Sequence, residues 1–112
     1  MEVKQREIVL CEFFFSDLKQ YKMRPVVVFK TNLPFDDFVG IPISSQLTNL
    51  NDDEILIEQS DFIDGLLPKR SKVIVRKTFV ISSRVIVKKY GTLSEACFNR
   101  LFRTFCTYFQ CH

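Results

Sequence analysis

Residues 22 to 29 read KMRPVVVF, in which a cation and a proline lead straight into an unbroken apolar run. Such a run of β-branched and aromatic residues predicts a strand that is buried on both faces. Pro25 fixes its own backbone and biases Arg24 toward an extended conformation, so the guanidinium projects from a defined place. A permanent cation at the mouth of a buried strand is costly to desolvate, which indicates that its position serves a purpose.

Other segments along the chain carry the apolar patterns of strands, and polar turn residues separate them. The predicted strands, including the one just described, span 6–15, 24–30, 38–44, 54–58, 71–81 and 85–91. Pro42 interrupts the third strand, which indicates an edge or a bulge there, and 60–70 is predicted as a loop. Short strands at close spacing with one helix predict a mainly β fold, a small barrel in a single domain over residues 1–112.

The strand predicted at 71–81 alternates with a period of two. The members of one predicted face are Val73, Val75, Phe79 and Ile81, and those of the other are Ile74, Arg76 and Thr78. This pattern predicts one unbroken strand with Arg76 opposite the larger apolar set.

The helix is predicted to run from Leu93 to about Phe109. Thr92 and Glu95 have the spacing of a capping box, and they follow Gly91. The apolar stripe of this helix is unusually wide and consists of Cys97, Phe98, Leu101, Phe102, Phe105, Tyr108 and Phe109. So wide a face must cover a barrel wall, a partner subunit, or both.

Composition sets further bounds on the class of protein. Hydrophobic residues make up 46% of the chain, including 12 phenylalanines, so it can bury a core and wholesale disorder is excluded. No segment has the roughly 18 uncharged apolar residues of a membrane helix, and the first ten residues are charged, which predicts a cytoplasmic location. The four cysteines include no C-x-x-C pair, which disfavours zinc, and we predict neither a metal nor a cofactor.

Charge is segregated along the chain, although the net charge is only +3. Every charged residue from Thr31 to Gly65 is acidic, and from Leu66 to Arg103 all but Glu95 are basic. If the basic residues converge on one face, that face suits a polyanion such as nucleic acid. A solvated surface with matching acids elsewhere explains the same pattern equally well.

Five segments in this order resemble the MazF/PemK-like toxins of type II toxin–antitoxin systems, from about Glu7 to Leu101. They read FFFSD, KMRPVVV, IPISSQ, SDFIDGLLPKRSKV and KKYGTLSE. The resemblance implies a small SH3-like barrel of the CcdB/MazF/PemK type with a C-terminal α-helix. It also implies a homodimeric, metal-independent and sequence-specific endoribonuclease of the mRNA interferase kind, which cleaves single-stranded RNA at short sequences and is silenced by an antitoxin with an acidic segment.

The same resemblance assigns site residues. Arg24 and Ser44 would meet at the scissile phosphate as the catalytic residues. The RNA-binding residues would be Phe15, Ser16, Asp17, Ser45, Gln46, Lys69, Arg70, Lys72 and Arg76. From the residues alone, Arg24 could instead be a strand-edge cation paired with Asp17 or Glu12, and Phe15 could belong to the core.

The chain departs from the family pattern in its proton-transfer groups. Some members carry an arginine and an acid two residues apart on the strand that starts at Ser71, and here those positions are Ile74 and Arg76. The only histidine is His112, so a two-histidine mechanism is excluded. The alternative function is a non-catalytic or gyrase-poisoning toxin of the same fold that acts through protein contact, and a peptide-binding SH3-like module is a third.

Overall fold

A computed structural model describes residues 2–111, so His112 lies outside the described range. Eight antiparallel strands precede one helix. The strands are β1 (Glu7–Phe15), β2 (Gln20–Lys30), β3 (Asp37–Ser44), β4 (Glu54–Ile57), β5 (Phe62–Gly65), β6 (Ser71–Ile74), β7 (Phe79–Ser82) and β8 (Ile86–Leu93), and the helix is α1 (Glu95–Phe109). None of the helices between residues 2 and 111 is long and apolar enough to cross a membrane.

The strands form one curled sheet in the order β4-β6-β3-β2-β1-β8-β5, and β7 pairs with β3 beside β6. The mainly β prediction, a small barrel with a C-terminal helix, is therefore confirmed. Strand β2 lies at the centre of this order, and its apolar run from Val26 to Phe29 is buried on both faces, as predicted. Val27 and Phe29 pack toward α1, whereas Val26 and Val28 pack into a second cluster with Phe38.

The prediction of one unbroken strand over 71–81 is wrong, because a 3-10 turn at Val75–Lys77 divides it into β6 and β7. The pairs Ile43–Val73 and Gly40–Phe79 are three residues apart along β3 but six residues apart along the segment of β6 and β7. The turn between β6 and β7 therefore inserts three residues. The insertion breaks the alternation. Ile74 is buried, although it was predicted on the other face, and Phe79 is 38% exposed.

Two other predictions of local structure are wrong. The predicted loop at 60–70 contains β5, which pairs with β8. Thr92 does not cap the helix, because it lies within β8 and pairs with Glu7 and Asp64. Ser94 is the N-cap, and its hydroxyl oxygen accepts a hydrogen bond from the backbone N–H of Cys97 at 3.1 Å.

Candidate functional site

A cavity of about 600 Å³ opens between the middle of β2, the end of β3 and the loop that joins β5 to β6. Its walls come from five parts of the chain that are distant in sequence. The lining residues are Met23, Arg24, Pro25, Pro42, Ile43, Ser44, Ser45, Gln46, Leu67, Pro68, Lys69, Ser71, Ile74, Lys77 and Tyr90. Of the predicted site residues, the structure brings Arg24, Ser44, Ser45, Gln46 and Lys69 together in this lining.

The sheet opens at this place because the ladder between β2 and β3 ends there. Its last pair is Val26 with Pro42, and proline has no N–H to donate to the ladder. Beyond Pro42, β3 pairs instead with β6 on its other side, with Ser44 opposite Lys72. Extended by two residues past its last pair, the β2–β3 register would place Arg24 opposite Ser44, and both residues line the cavity.

The guanidinium of Arg24 is exposed and available. Its Nη1 donates to the carbonyl of Met23 at 3.2 Å. Among residues 2–111 no carboxylate forms a salt bridge with it, so the alternative of a pair with Asp17 or Glu12 is not found in this structure. An unpaired guanidinium on a cavity wall presents its planar fork of donors to an incoming anion.

Ser44 shapes the turn that ends β3. Its Oγ accepts a hydrogen bond from the backbone N–H of Gln46 at 3.1 Å. This contact fixes the side chain and leaves the hydroxyl proton available for donation. Ser44 is therefore available as a hydrogen-bond donor in the cavity that Arg24 also lines.

The charge of the described cavity lining has one sign. It includes three cations, Arg24, Lys69 and Lys77, and no carboxylate. Sequence reasoning missed Lys77 as a site residue, because in an unbroken strand Lys77 would lie on the same face as Val75. The 3-10 turn instead brings Lys77 to the cavity. Tyr90 was also missed, and nothing in the sequence but its place in the KKYG segment marks it.

Three of the predicted RNA-binding cations are held by acids instead. Arg70 forms an exposed ion pair with Glu58, Nε to Oε1 at 3.1 Å. Lys72 is buried, and its Nζ lies 2.9 Å from Oε1 of Glu54. Arg76 contacts Asp53 and Glu54 at 3.0 Å each. Of Lys69, Arg70, Lys72 and Arg76, only Lys69 lines the cavity, and we do not retain the three paired cations as RNA contacts.

The carboxylate of Glu54 is the centre of this paired cluster, which we define as Asp53, Glu54, Lys72 and Arg76. Burial raises the pKa of the Glu54 carboxyl, but hydrogen bonds from the Asn51 N–H, Lys72 and Arg76 outweigh burial and bring that pKa to about 2. Side-chain hydrogen bonds to Glu54 and Asp53 in turn raise the pKa of Arg76. Glu54 and Arg76 are therefore both charged at neutral pH.

The segment Phe15–Asp17 lies at the end of the β1–β2 hairpin and outside the cavity lining. Phe15 pairs with Gln20, while Arg24 pairs with Cys11, so four residues of strand separate the two pairs. That spacing is about 13 Å at the usual rise of a strand. Phe15 is 36% exposed, and the ammonium of Lys22 lies 5.7 Å from the centre of its ring. Phe15 is thus a surface residue and not part of the core.

Metal ligands do not cluster in the part of the chain that the structure describes. Between residues 2 and 111, no three His, Cys, Asp or Glu side chains lie together as a metal site would need. The chemical groups available at the cavity are those of its own lining.

Comparison with known proteins gives one family and several similar structures. A family model described as PemK-like, MazF-like toxin of type II toxin-antitoxin system matches residues 4–109. None of the curated proteins matches the chain.

Solved structures resemble the chain over nearly its full length. An endoribonuclease in complex with its cognate antitoxin, from Mycobacterial species, has a TM-score of 0.77 at 11% identity, with 99% of this chain and 98% of that one covered. The Mycobacterium tuberculosis toxin MazF-mt6 has a TM-score of 0.73 at 19% identity, with 96% and 99% covered. Another endoribonuclease from Mycobacterial species has a TM-score of 0.70 at 15% identity, with 98% and 94% covered. At such identities the likeness shows the fold.

Proposed function

The chain belongs to the PemK-like, MazF-like toxins of type II toxin–antitoxin systems, and from this premise we propose that it is a metal-independent endoribonuclease that cleaves single-stranded RNA. The observation that carries this proposal is that one cavity lined by cations holds both the guanidinium of Arg24, which no carboxylate of residues 2–111 pairs, and the fixed hydroxyl of Ser44. Two of the similar structures are of proteins called endoribonucleases. We place the activity in the cytoplasm, where mRNA is translated.

The proposed reaction uses a nucleophile that RNA itself supplies. The 2′-hydroxyl attacks the adjacent phosphorus, the bond to the 5′-oxygen breaks, and the products end in a 2′,3′-cyclic phosphate and a 5′-hydroxyl. The protein has to orient the phosphate and stabilise the extra negative charge of the phosphorane. Arg24 does this with its fork of donors, and Ser44 adds one hydrogen bond to the same anion. Lys69 and Lys77 bind phosphates on either side.

Alanine substitution at Arg24 and at Ser44 tests this assignment. We expect Arg24→Ala and Ser44→Ala to slow cleavage of a long single-stranded RNA in EDTA by about 100- to 1,000-fold, the usual effect of losing a preorganised donor to a developing oxyanion. Arg24→Lys should be nearly as slow, because an ammonium lacks the fork. Arg70→Ala is the matched control, since that arginine is exposed and paired outside the cavity.

The outcome of this assay also separates the candidate functions. Wild-type cleavage by both alanine variants would refute the site. A wild-type protein that leaves RNA intact, with no cyclic-phosphate ends, would refute the nuclease and favour a toxin that acts through protein contact.

The partners of this chain are part of the same proposal. An antitoxin with an acidic segment would compete with RNA for the cavity cations. A second copy of the chain would cover the apolar face of α1, where Phe102, Tyr108 and Phe109 remain about half exposed. We expect light scattering at micromolar concentration to give twice the 13.2 kDa of one chain. A monomer mass would contradict the homodimer.

A further inference from the structure

The last turn of α1 brings two cysteines together. The helix ends at Phe109, and Gln110 adopts the left-handed conformation, with φ 58° and ψ 54°. The N–H groups of Gln110 and Cys111 both donate to the carbonyl of Cys106, the second at 3.0 Å. In caps of this kind a side-chain contact between the residues at the positions of Cys106 and Cys111 frequently accompanies these bonds. Apolar residues usually make that contact, whereas here two thiols occupy it.

The other two cysteines differ from this pair in their surroundings. Cys11 and Cys97 are buried in the core, and burial raises the pKa of both thiols, that of Cys11 to about 11. Cys106 is partly exposed and Cys111 exposed. A side-chain hydrogen bond with Cys111 raises the pKa of the Cys106 thiol, so each sulfur lies within reach of the other. Thiol chemistry in this chain is therefore concentrated at the end of the helix.

We propose that Cys106 and Cys111 form a dithiol site that low-molecular-weight disulfides, of the oxidised-glutathione type, convert into an intrachain disulfide. The exposed thiolate of Cys111 attacks one sulfur of the small disulfide and releases one thiol, which gives a mixed disulfide. The thiolate of Cys106 then attacks the Cys111 sulfur and releases the second thiol. Two protein thiols are oxidised, the small disulfide is reduced to two thiols, and the two protons leave with them.

The cap makes the second step favourable, because it holds the two residues together before any bond forms. A preformed contact raises the effective concentration of one thiol at the other. Gln110 is the residue on which this depends, since its positive φ folds Cys111 back toward Cys106. Glycine adopts such a φ without cost, whereas a β-branched residue resists it.

The bridge can be read from peptides of the full chain. Reduced protein is equilibrated with mixtures of reduced and oxidised glutathione, alkylated and digested with trypsin. The pair falls in one peptide, 104–112, while Cys97 and Cys11 fall in 90–100 and 7–19. We expect peptide 104–112 to lose two hydrogens and the other two to be alkylated. The equilibrium constant for the bridge should be at least about tenfold larger in native buffer than in concentrated urea.

Three variants test whether the helix cap favours the bridge, or whether the closeness of Cys106 and Cys111 in sequence is enough. Gln110→Gly should retain the native equilibrium constant, and Gln110→Val should lower it several-fold. Cys111→Ser should abolish the bridge. The proposal is overturned if glutathione remains attached to peptide 104–112 in place of the bridge, if native and urea constants are equal, or if Gln110→Val matches Gln110→Gly.

Discussion

Lys69 and Lys72 lie three residues apart, yet they occupy opposite electrostatic environments. Lys69 lines an open cavity whose described walls carry no carboxylate. Lys72 is buried and bound by Glu54. The acids of segment 31–65 account for this difference, because they form ion pairs with part of the basic segment 66–103. The pairs that do so are Arg70–Glu58, Lys72–Glu54, Arg76–Asp53 and Arg100–Asp61.

The number of cations in a stretch of sequence therefore overstates the positive charge that a ligand encounters, because ion pairs neutralise some of those cations. Matching acids account for the paired cations, whereas a polyanion surface stays a prediction for the cations of the cavity. The paired cluster around Glu54 stabilises the sheet where β4 meets β6, and the cavity cations remain free. The two regions should respond to different substitutions, the first in stability and the second in RNA binding.

The largest effect is expected from breaking the paired cluster. Glu54→Gln keeps the shape of the side chain but leaves the buried ammonium of Lys72 without its carboxylate. Removing one partner of a buried ion pair typically costs about 3–5 kcal/mol, and we expect that loss in the free energy of unfolding measured with urea. Glu58→Gln is the control, because its exposed pair with Arg70 should contribute no more than about 1 kcal/mol.

A second variant keeps this prediction decidable if Glu54→Gln does not fold. Replacing Glu54 by leucine and Lys72 by methionine removes both charges, which is often neutral for a buried pair. This double variant should fold and recover most of the lost stability. Equal stabilities of Glu54→Gln and Glu58→Gln would show that the buried pair contributes nothing special.

Acid should weaken the same cluster. The pKa of Glu54 falls from 4.5 to about 2 in the folded protein, so its ionised form favours folding. That contribution is complete above about pH 4.5 and is lost as the pH falls through about 2. The stability difference between wild type and Glu54→Gln should therefore shrink by about 2 kcal/mol between about pH 7 and about pH 3. A difference that stays constant over this range would exclude Glu54 as the group responsible.

The contrast between the two regions also marks how far the sequence could predict them. The strand after Arg24 was predictable because its apolar run leaves few alternatives. The 3-10 turn at Val75–Lys77 was not, because it contains no glycine or proline and is held from a distance. Asp53 accepts a hydrogen bond from the N–H of Arg76 through its carboxylate and from that of Val75 through its carbonyl, both at 3.0 Å. A tertiary contact thus imposes the turn that brings Lys77 to the cavity.

Strand β5 was missed for a related reason. Its Asp and Gly residues suggested a loop, but the strand depends on a close approach between two glycines far apart in sequence. Gly65 has a φ of +67°, and a Cβ there would collide with the carbonyl of Tyr90. The pairing of Gly65 with Gly91 joins β5 to β8 and sets the start of the cavity loop. The placement of Arg24 and Ser44 at one cavity likewise depends on the register between β2 and β3. The sequence indicated that placement only through its resemblance to the family.

The smallest expected effect concerns the free cations, and it tests whether they contact RNA at all. Single-stranded RNA loses affinity with salt at a slope of about −0.7 per phosphate contacted, so the double variant Lys69→Gln/Lys77→Gln should reduce that slope by about 1.4. Binding is measured with RNA whose 2′-hydroxyls are methylated, so that no cleavage occurs.

Arg70→Gln is the matched control for this slope, since Arg70 neighbours Lys69 in sequence but pairs with Glu58. Its slope should equal that of the wild type, because the acid and not the RNA takes up its charge. If the double variant retains the wild-type slope, RNA does not follow the cavity. Arg70→Gln could also lower the slope as much as the double lysine variant does. In that case exposure alone decides which cations bind RNA. The distinction between paired and free cations then fails for ion pairs on the surface.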